Sequence, residues 1–342
     1  MQYRYIPILR LKRGERTGIA QLSAQGKADV VPLFVIEPAQ YRARGGSNPV
    51  SAAQLLVNEV VQCWGTAPFF LDASALPLAA GAAHHPLLDI AAAARVAGLH
   101  LIPATRPTVW IPYQNAVSAV VATDGRGVGL RVDLQQLSTA ATWVPSAPLP
   151  VAHTDLIADF ASDIGTVAGL GPALDHVFQS LHAGGVWRSV TVAGTSMPDN
   201  FTGVTAGTYV IPRREFTLWQ HLVALGLPYR LDYGDYATIP VNAPPSGIRW
   251  GFPINVKYTR QVDFLICRGV GTTGFGAVDM DVQLLGHAQT IVADPHRATL
   301  AHCWADGQID RIAAGVDGPG NLENWVRLSV NRHVERVRAS LP

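Results

Sequence analysis

Cysteine, lysine, net charge and long apolar runs are all scarce in this chain of 342 residues. The three cysteines, Cys63, Cys267 and Cys303, are odd in number, far apart and without a C-x-x-C pair. That excludes a disulfide framework and a compact zinc knuckle, and it points to a reducing compartment. Charged residues make up 15%, and 26 Lys and Arg against 25 Asp and Glu leave a net +1. Coating nucleic acid or an anionic membrane takes a net basic surface, so neither is the expected partner. No apolar run approaches the roughly 20 residues of a membrane helix. The first residues run into a strand-like segment and lack the basic, apolar and small-residue order of a secretion signal. The expectation is a cytoplasmic protein with no membrane association.

Core-forming residues are plentiful, with 48% hydrophobic, which excludes disorder. The 32 Gly and 24 Pro follow no fixed period, which excludes a collagen-like or low-complexity chain. Eight short β-like runs recur at near-regular spacing, over residues 5–11, 29–36, 68–73, 100–105, 127–134, 155–160, 187–194 and 228–234. Segments 51–64, 86–98, 113–122, 171–184 and 214–226 carry helical periodicity. Ser51 stands as N-cap of the first of these, and Pro86 and Gly98 bracket the second. Strands apolar on both faces that alternate with helices are parallel strands covered by helices. Eight such units predict an α/β protein with a (β/α)8, TIM-barrel-like fold. A doubly wound open sheet is the alternative, but its glycine fingerprint is missing at residues 10–15. After the eighth strand, a Pro/Gly-rich link over 241–247 leads to two strand-like runs, FPINVKYT and VDFLICRG, expected as a β-hairpin insertion. Helices follow over 280–294, expected to close the barrel wall, and over 321–341, where Leu322, Trp325, Leu328, Val330 and Val334 form an apolar face. Residues 1–342 read as one domain, with 241–342 as its barrel-closing and C-terminal extension.

In a β/α barrel the site lies at the C-terminal ends of the strands. The polar residues there are Lys12 and Glu15 after the first strand, Glu37 after the second, Asp72 at the third and Arg106 after the fourth. Arg131 and Asp133 follow at the fifth, Asp159 at the sixth, Ser196 after the seventh, and Asp232 and Asp235 at the eighth. Lys12, Glu37, Asp72, Asp159 and Asp235 are the candidate catalytic residues. The four carboxylates suit a divalent cation or acid/base work with separated pKa values. Arg106 and Arg131 are candidates for binding an anion. Arg268, Gly269 and Gly271 join them, because a G-x-G-x-x-G run at 269–274 can present backbone N–H groups to a phosphate. That run is a weak motif, since no following strand completes a βαβ unit. His287, His296, His302 and Cys303 match no compact zinc spacing and read as structural or surface residues. Arg4, Arg10, Lys12, Arg13 and Arg16, with Trp110 and Tyr113 to stack bases, are the closest approach to a nucleic-acid surface, and the neutral total argues against that role.

The chain also resembles a known family. Tyr5 to Glu15 (Y-I-P-I-L-x-x-K-x-G-E), VVPLFVIEP, Asp155 to Asp159, Trp187-Arg188 and the strand end Ala193 to Pro198 follow the order of the beta protein family of bacteriophages and bacteria. So do Arg214-Glu215 with Trp219, Tyr233 to Tyr236, Tyr258-Thr259, Arg268-Gly269, and Gly320-Asn321 through Trp325 to Asn331-Arg332-His333. The chain departs at Arg332, where the family pattern has a histidine. The resemblance implies the fold and a phage or phage–host conflict setting, and it implies no reaction. Two functions remain open from the residues. One is an enzyme acting on an anionic, phosphate- or nucleotide-like substrate at the barrel mouth by acid/base or metal-assisted hydrolysis. The other is a non-catalytic module that binds a host or defence protein through exposed aromatics such as Trp110, Trp143 and Trp250.

Overall fold

The computed structural model describes residues 3–45, 49–78, 81, 83–140, 144, 150–242 and 253–342. Strands β1 (Tyr5–Leu9), β2 (Leu33–Val35), β3 (Phe69–Asp72), β4 (Leu101–Thr105), β5 (Val128–Val132), β6 (Thr154–Asp159) and β7 (Ser189–Gly194) lie side by side. Strand β8 (Gly207–Pro212) stands apart, and β9 (Leu231–Asp235) closes the barrel between β7 and β1. Every barrel pair is parallel, and the fold is the expected (β/α)8 barrel.

Successive side chains of a strand point to opposite faces, and that alternation divides the residues here into two layers. Tyr5, Leu9, Phe34, Phe69, Leu71 and Tyr233 point outward and join the core beneath the helices. Ile6, Ile8, Leu33, Phe70 and Ile157 point inward and fill the barrel. Large and small residues interlock there, since a Cβ on Gly129 would sit 2.9 Å from the Phe70 ring. The N-terminal end is closed by ion pairs. Arg4 and Arg230 each place Nε 2.8 Å from Asp232, while Arg188 binds Asp155. Asp232 therefore sits at the floor, at the opposite end from the strand C-termini.

The outer helices are α1 (Arg13–Ala20), α2 (Ala24–Lys27), α3 (Ala52–Cys63), α4 (Leu87–Val96), α5 (Ile111–Asp124) and α6 (Leu134–Ser138). They continue with α7 (Ile164–Ala168), α8 (Pro172–Ser180) and α9 (Arg214–Ala224). Ser51 caps α3 as expected, its hydroxyl accepting Gln54 N–H at 3.1 Å.

The expected hairpin forms, β10 (Asn255–Thr259) pairing antiparallel with β11 (Asp263–Arg268), and β8 pairs with the other edge of β11 to make a three-stranded sheet. As an edge strand β8 is largely exposed, and its Tyr209-Val210-Ile211 run is too short to announce which strand it joins. One expectation needs correction. Helix α10 (Met280–Val292) does not close the barrel wall. Its Leu284, Ala288 and Ile291 join a second core with β10, β11 and α11 (Trp304–Ala313). The closing helix is the C-terminal α12 (Leu322–Ser340), which packs on α1 and β1. It serves both cores, with Val330, Val334 and Val337 in the barrel layer and Trp325 and Leu328 in the second.

Candidate active site

The alternation that fills the barrel also builds its mouth. Two residues past the inward Ile8, Phe70, Ala104, Gly129, Ile157 and Gly234 come Arg10, Asp72, Arg106, Arg131, Asp159 and Tyr236, so each side chain lands on the same inner face at the strand C-termini. All six line one open cavity of about 320 Å³. The structure thus brings together Asp72, Arg106, Arg131 and Asp159 of the expected residues and adds Arg10 and Tyr236.

Arg131 is the hub, at 3% exposure. Its Nη1 donates to Asp72 Oδ2 at 2.5 Å, while Nη2 and Nε donate to Asp159 Oδ2 at 2.6 and 3.2 Å. Nη2 also reaches the Tyr236 hydroxyl at 3.3 Å. The Tyr236 hydroxyl donates to Asp159, 2.9 Å from Oδ1 and 2.8 Å from Oδ2. Ser74 completes Asp72, donating to Oδ1 from its N–H at 3.1 Å and its hydroxyl at 2.6 Å. Asp159 Oδ1 takes the Ala161 N–H at 3.1 Å. Ala161 holds a left-handed φ of 48° to aim that N–H, and the strain of such a backbone is compensated only where its surroundings demand it. Burial on its own raises the Asp72 pKa, but Arg131 and Ser74 outweigh burial and hold the carboxyl below its ordinary range. Burial and Asp159 push the Tyr236 phenol up, which keeps it protonated.

Arg131 occupies the position between the carboxylates where a divalent cation was expected. Among the described residues no group of three or more His, Cys, Asp or Glu is placed to hold a metal ion. The donor set does not fit one, because Asp72 and Asp159 each already hold a guanidinium. Arg131, expected to bind an anion, is instead consumed in positioning these carboxylates. The Arg106 guanidinium makes no hydrogen bond or ion pair among the described residues; it faces the cavity half-buried, and its charge helps to hold the Asp72 carboxyl down.

The other expected residues lie elsewhere. Lys12 and Glu37 pair at 3.1 Å on the rim, where Glu37 also meets Arg10 Nε at 3.4 Å. Arg10 donates to Pro240 O at 2.5 Å and to Val241 O, tying the β9 exit loop to the rim. Asp235 follows Gly234 by one residue instead of two and therefore points outward, away from the mouth. It accepts from Tyr5 and Tyr233 hydroxyls at 2.6 and 2.8 Å, from Ala237 N–H at 2.9 Å, and lies 2.7 Å from His333 Nε2 on α12. Burial opposes the charge, but His333, Arg213 and Tyr5 bring the carboxyl down to about 2. The His333 Nδ1 meets the Thr259 hydroxyl at 2.9 Å. Although this order mimics a catalytic triad, all three residues are fully buried, so the cluster bolts the barrel to α12 and β10. Arg332, the departure from the family pattern, is buried too, donating to Asp306, Thr259 O and Ala298 O.

Arg268, Gly269 and Gly271 sit at the exit of β11 on the second sheet, apart from the mouth. Arg268 donates to Val204 O and Asn255 Oδ1. The N–H groups of Gly269 and Val270 are already taken by Ile254 O and Gln283 Oε1. A Cβ on Gly269 would crowd the Gln283 side chain, whose amide is fixed by Val270 N–H and Val278 O, so packing against α10 accounts for that glycine without a phosphate. Tyr113 is buried, its hydroxyl donating to Ala104 O at 2.5 Å, and it offers no face to a base. Trp110 is 40% exposed, while Trp143 and Trp250 lie outside the described residues. Among the described residues no helix is long and apolar enough to cross a membrane.

No curated protein matches this chain. The sequence model of the Beta protein family matches residues 5–339, nearly the entire length, and the chain belongs to that family.

Proposed function

We propose that the barrel mouth binds a small anionic ligand and is the active site of a hydrolase that works by acid/base chemistry. The observation that carries this reading is the unpaired Arg106 guanidinium, which faces a cavity whose floor is the Asp72–Arg131–Asp159–Tyr236 network. Surface arginines are often unpaired, but one set against desolvated, immobilised carboxylates is arranged for a ligand. Arg106 anchors the anion. Asp159 accepts the proton of the attacking water through the Tyr236 hydroxyl that bridges it to the cavity, and returns it by the same path to the leaving group as its bond breaks, while Asp72 holds Arg131. Arg131 keeps both carboxylates in place and carries no ligand itself. Convergence of groups from six strands in an open cavity favours this reading over a purely structural barrel.

A second reading, a protein-binding surface, is favoured by Phe275, which is fully exposed in the glycine-rich loop before α10, with Val278 and Val282 nearby. A thermal-shift screen of inorganic phosphate, sugar phosphates, nucleotides and carboxylates against wild type and Arg106→Gln separates the two. A ligand at 100 times its Kd adds about 2.7 kcal/mol of stability. Stabilisation in wild type that is lost in Arg106→Gln supports the mouth as the site. No stabilisation by any class refutes the small-anion reading and leaves the protein-binding one.

A further inference from the structure

The charge of the mouth is not that of a simple anion site. Three arginines line it against four aspartates, Asp72, Asp133, Asp159 and Asp163. Most of these charges are engaged within the protein. Arg131 holds Asp72 and Asp159, Arg10 pairs with Glu37, and Asp133 caps α6 by accepting Gln136 N–H at 2.8 Å. Two remain. The Arg106 guanidinium, past β4, makes no hydrogen bond or ion pair among the described residues and acts on Asp72 through its charge alone. Asp163, past β6, is exposed and stands at the N-cap position of α7 without making a cap hydrogen bond or ion pair among the described residues. Only β5 lies between their strands in the barrel order, so a free cation and a free carboxylate face the same small space from neighbouring positions.

The remaining wall differs. Every carboxylate of the cavity comes from the arc β3 to β6. The opposite arc of β9, β1 and β2 supplies Ile8, Val35, Ile239 and Val241, together with Tyr236 and the already engaged Arg10, and Leu134, Phe160 and Val167 add apolar surface beyond the carboxylates on the first arc. A ligand that satisfies both arcs carries an anion and a cation at one end and an apolar group at the other. One free guanidinium in a lining with an excess of carboxylates suits a monoanion better than a phosphate dianion, because each added negative charge meets unscreened repulsion. The volume of about 320 Å³ lies at the small end of ligand cavities.

From this we infer that the ligand class of the mouth is a small zwitterion with an apolar substituent, an amino acid with an aliphatic side chain, its carboxylate on Arg106, its ammonium on Asp163 and its side chain against Ile8, Val35, Ile239 and Val241. This rests on the mouth being the ligand site and names what that site selects, the free amino acid being the product that hydrolysis of its ester or amide leaves there.

Calorimetric titration with L-leucine, 4-methylpentanoate (the same skeleton without the ammonium), 3-methylbutylamine (without the carboxylate) and glycine (without the tail) tests it. L-Leucine binds wild type about fivefold tighter than either monofunctional analogue, the worth of one partly exposed charge pair, and glycine binds more weakly than leucine. Asp163→Asn reduces leucine to the level of 4-methylpentanoate and leaves the latter unchanged, whereas Arg106→Gln weakens both acids. Both side chains are solvent-accessible, so neither variant endangers folding. Equal binding of leucine and 4-methylpentanoate, or an Asp163→Asn that weakens both alike, overturns the zwitterion while the anion site stands. Inorganic phosphate binding that depends on Arg106 with no leucine binding has the same meaning. No Arg106-dependent binding of any acid or of phosphate removes the anion site itself.

Discussion

Replacing Arg131 by methionine, which keeps an unbranched apolar side chain, strands two buried carboxylates without their counter-charge. Asp72 keeps the two donors of Ser74, and Asp159 keeps Tyr236 and Ala161 N–H, but both lose the 2.5 and 2.6 Å contacts that neutralise them. Removing one member of a buried ion pair costs about 3–5 kcal/mol, because the remaining charge stays desolvated. With two carboxylates orphaned, Arg131→Met is expected at the upper end, about 5 kcal/mol at neutral pH. The penalty depends on pH in a definite direction. In the wild type the folded pKa of Asp72 lies below its ordinary 3.8, so its stabilisation is present above that value and lost only as pH falls through the lower folded value. In Arg131→Met burial prevails, the folded pKa rises above the unfolded one, and stability is instead lost as pH rises. Guanidinium denaturation followed by tryptophan fluorescence at about pH 7.5 and about pH 4 measures this. The loss is larger at the higher pH, and the triple variant Asp72→Asn/Arg131→Met/Asp159→Asn recovers part of it. A loss below about 1 kcal/mol, or one equal at both pH values, refutes the hub.

Burial pushes the carboxyls of Glu15 and Glu215 up from 4.5 to about 7. The native state then keeps protons that the unfolded chain releases, so stability falls as pH rises from about 4.5 to about 7. Glu15→Gln, whose amide oxygen can still accept the Arg10 N–H that Glu15 takes at 2.6 Å, matches wild type near pH 4 and exceeds it by on the order of 1–3 kcal/mol at pH 8. Adding Glu215→Gln flattens the slope further, as denaturation curves across that range will show. Asp235→Asn presents one acceptor oxygen to four donors and is expected to cost about 3 kcal/mol, yet its folded fraction keeps any Arg106-dependent ligand affinity, because the side chain faces away from the mouth. Loss of binding in folded Asp235→Asn would contradict that placement.

The barrel was legible because parallel strands buried on both faces leave near-continuous apolar runs with helical spacers, and those runs are local. Asp72, Arg106, Arg131 and Asp159 were legible for a related reason, since each ends or follows such a run. What misled was the weight of one residue. Asp235 ends its strand as Asp159 does, but Tyr233 already faces outward, so the same parity that buries Tyr233 under Phe216 and Trp219 of α9 carries Asp235 with it. Counting alternation from the inward Gly234 selects Tyr236 instead, and counting from Ile8 selects Arg10. Glu37 and Lys12 lie one step past that frame and meet on the rim. The pairing of β8 with β11 depends on residues 51 or more apart in the chain, and nothing local in an exposed edge strand records it. The G-x-G-x-x-G run shows the opposite failure, a local pattern whose glycine is explained by a helix packed against it.

Arginine labelling with phenylglyoxal, mapped by peptide mass spectrometry, tests most directly the claim that Arg106 is the free cation of a mouth whose Arg131 is locked. Arg106 is modified readily, Arg131 stays unmodified in the native protein, and a bound carboxylate or phosphate slows modification at Arg106 while leaving exposed arginines such as Arg13 unaffected. Modification of Arg131 as fast as that of Arg106, or an Arg106 rate indifferent to every anion tried, contradicts the account.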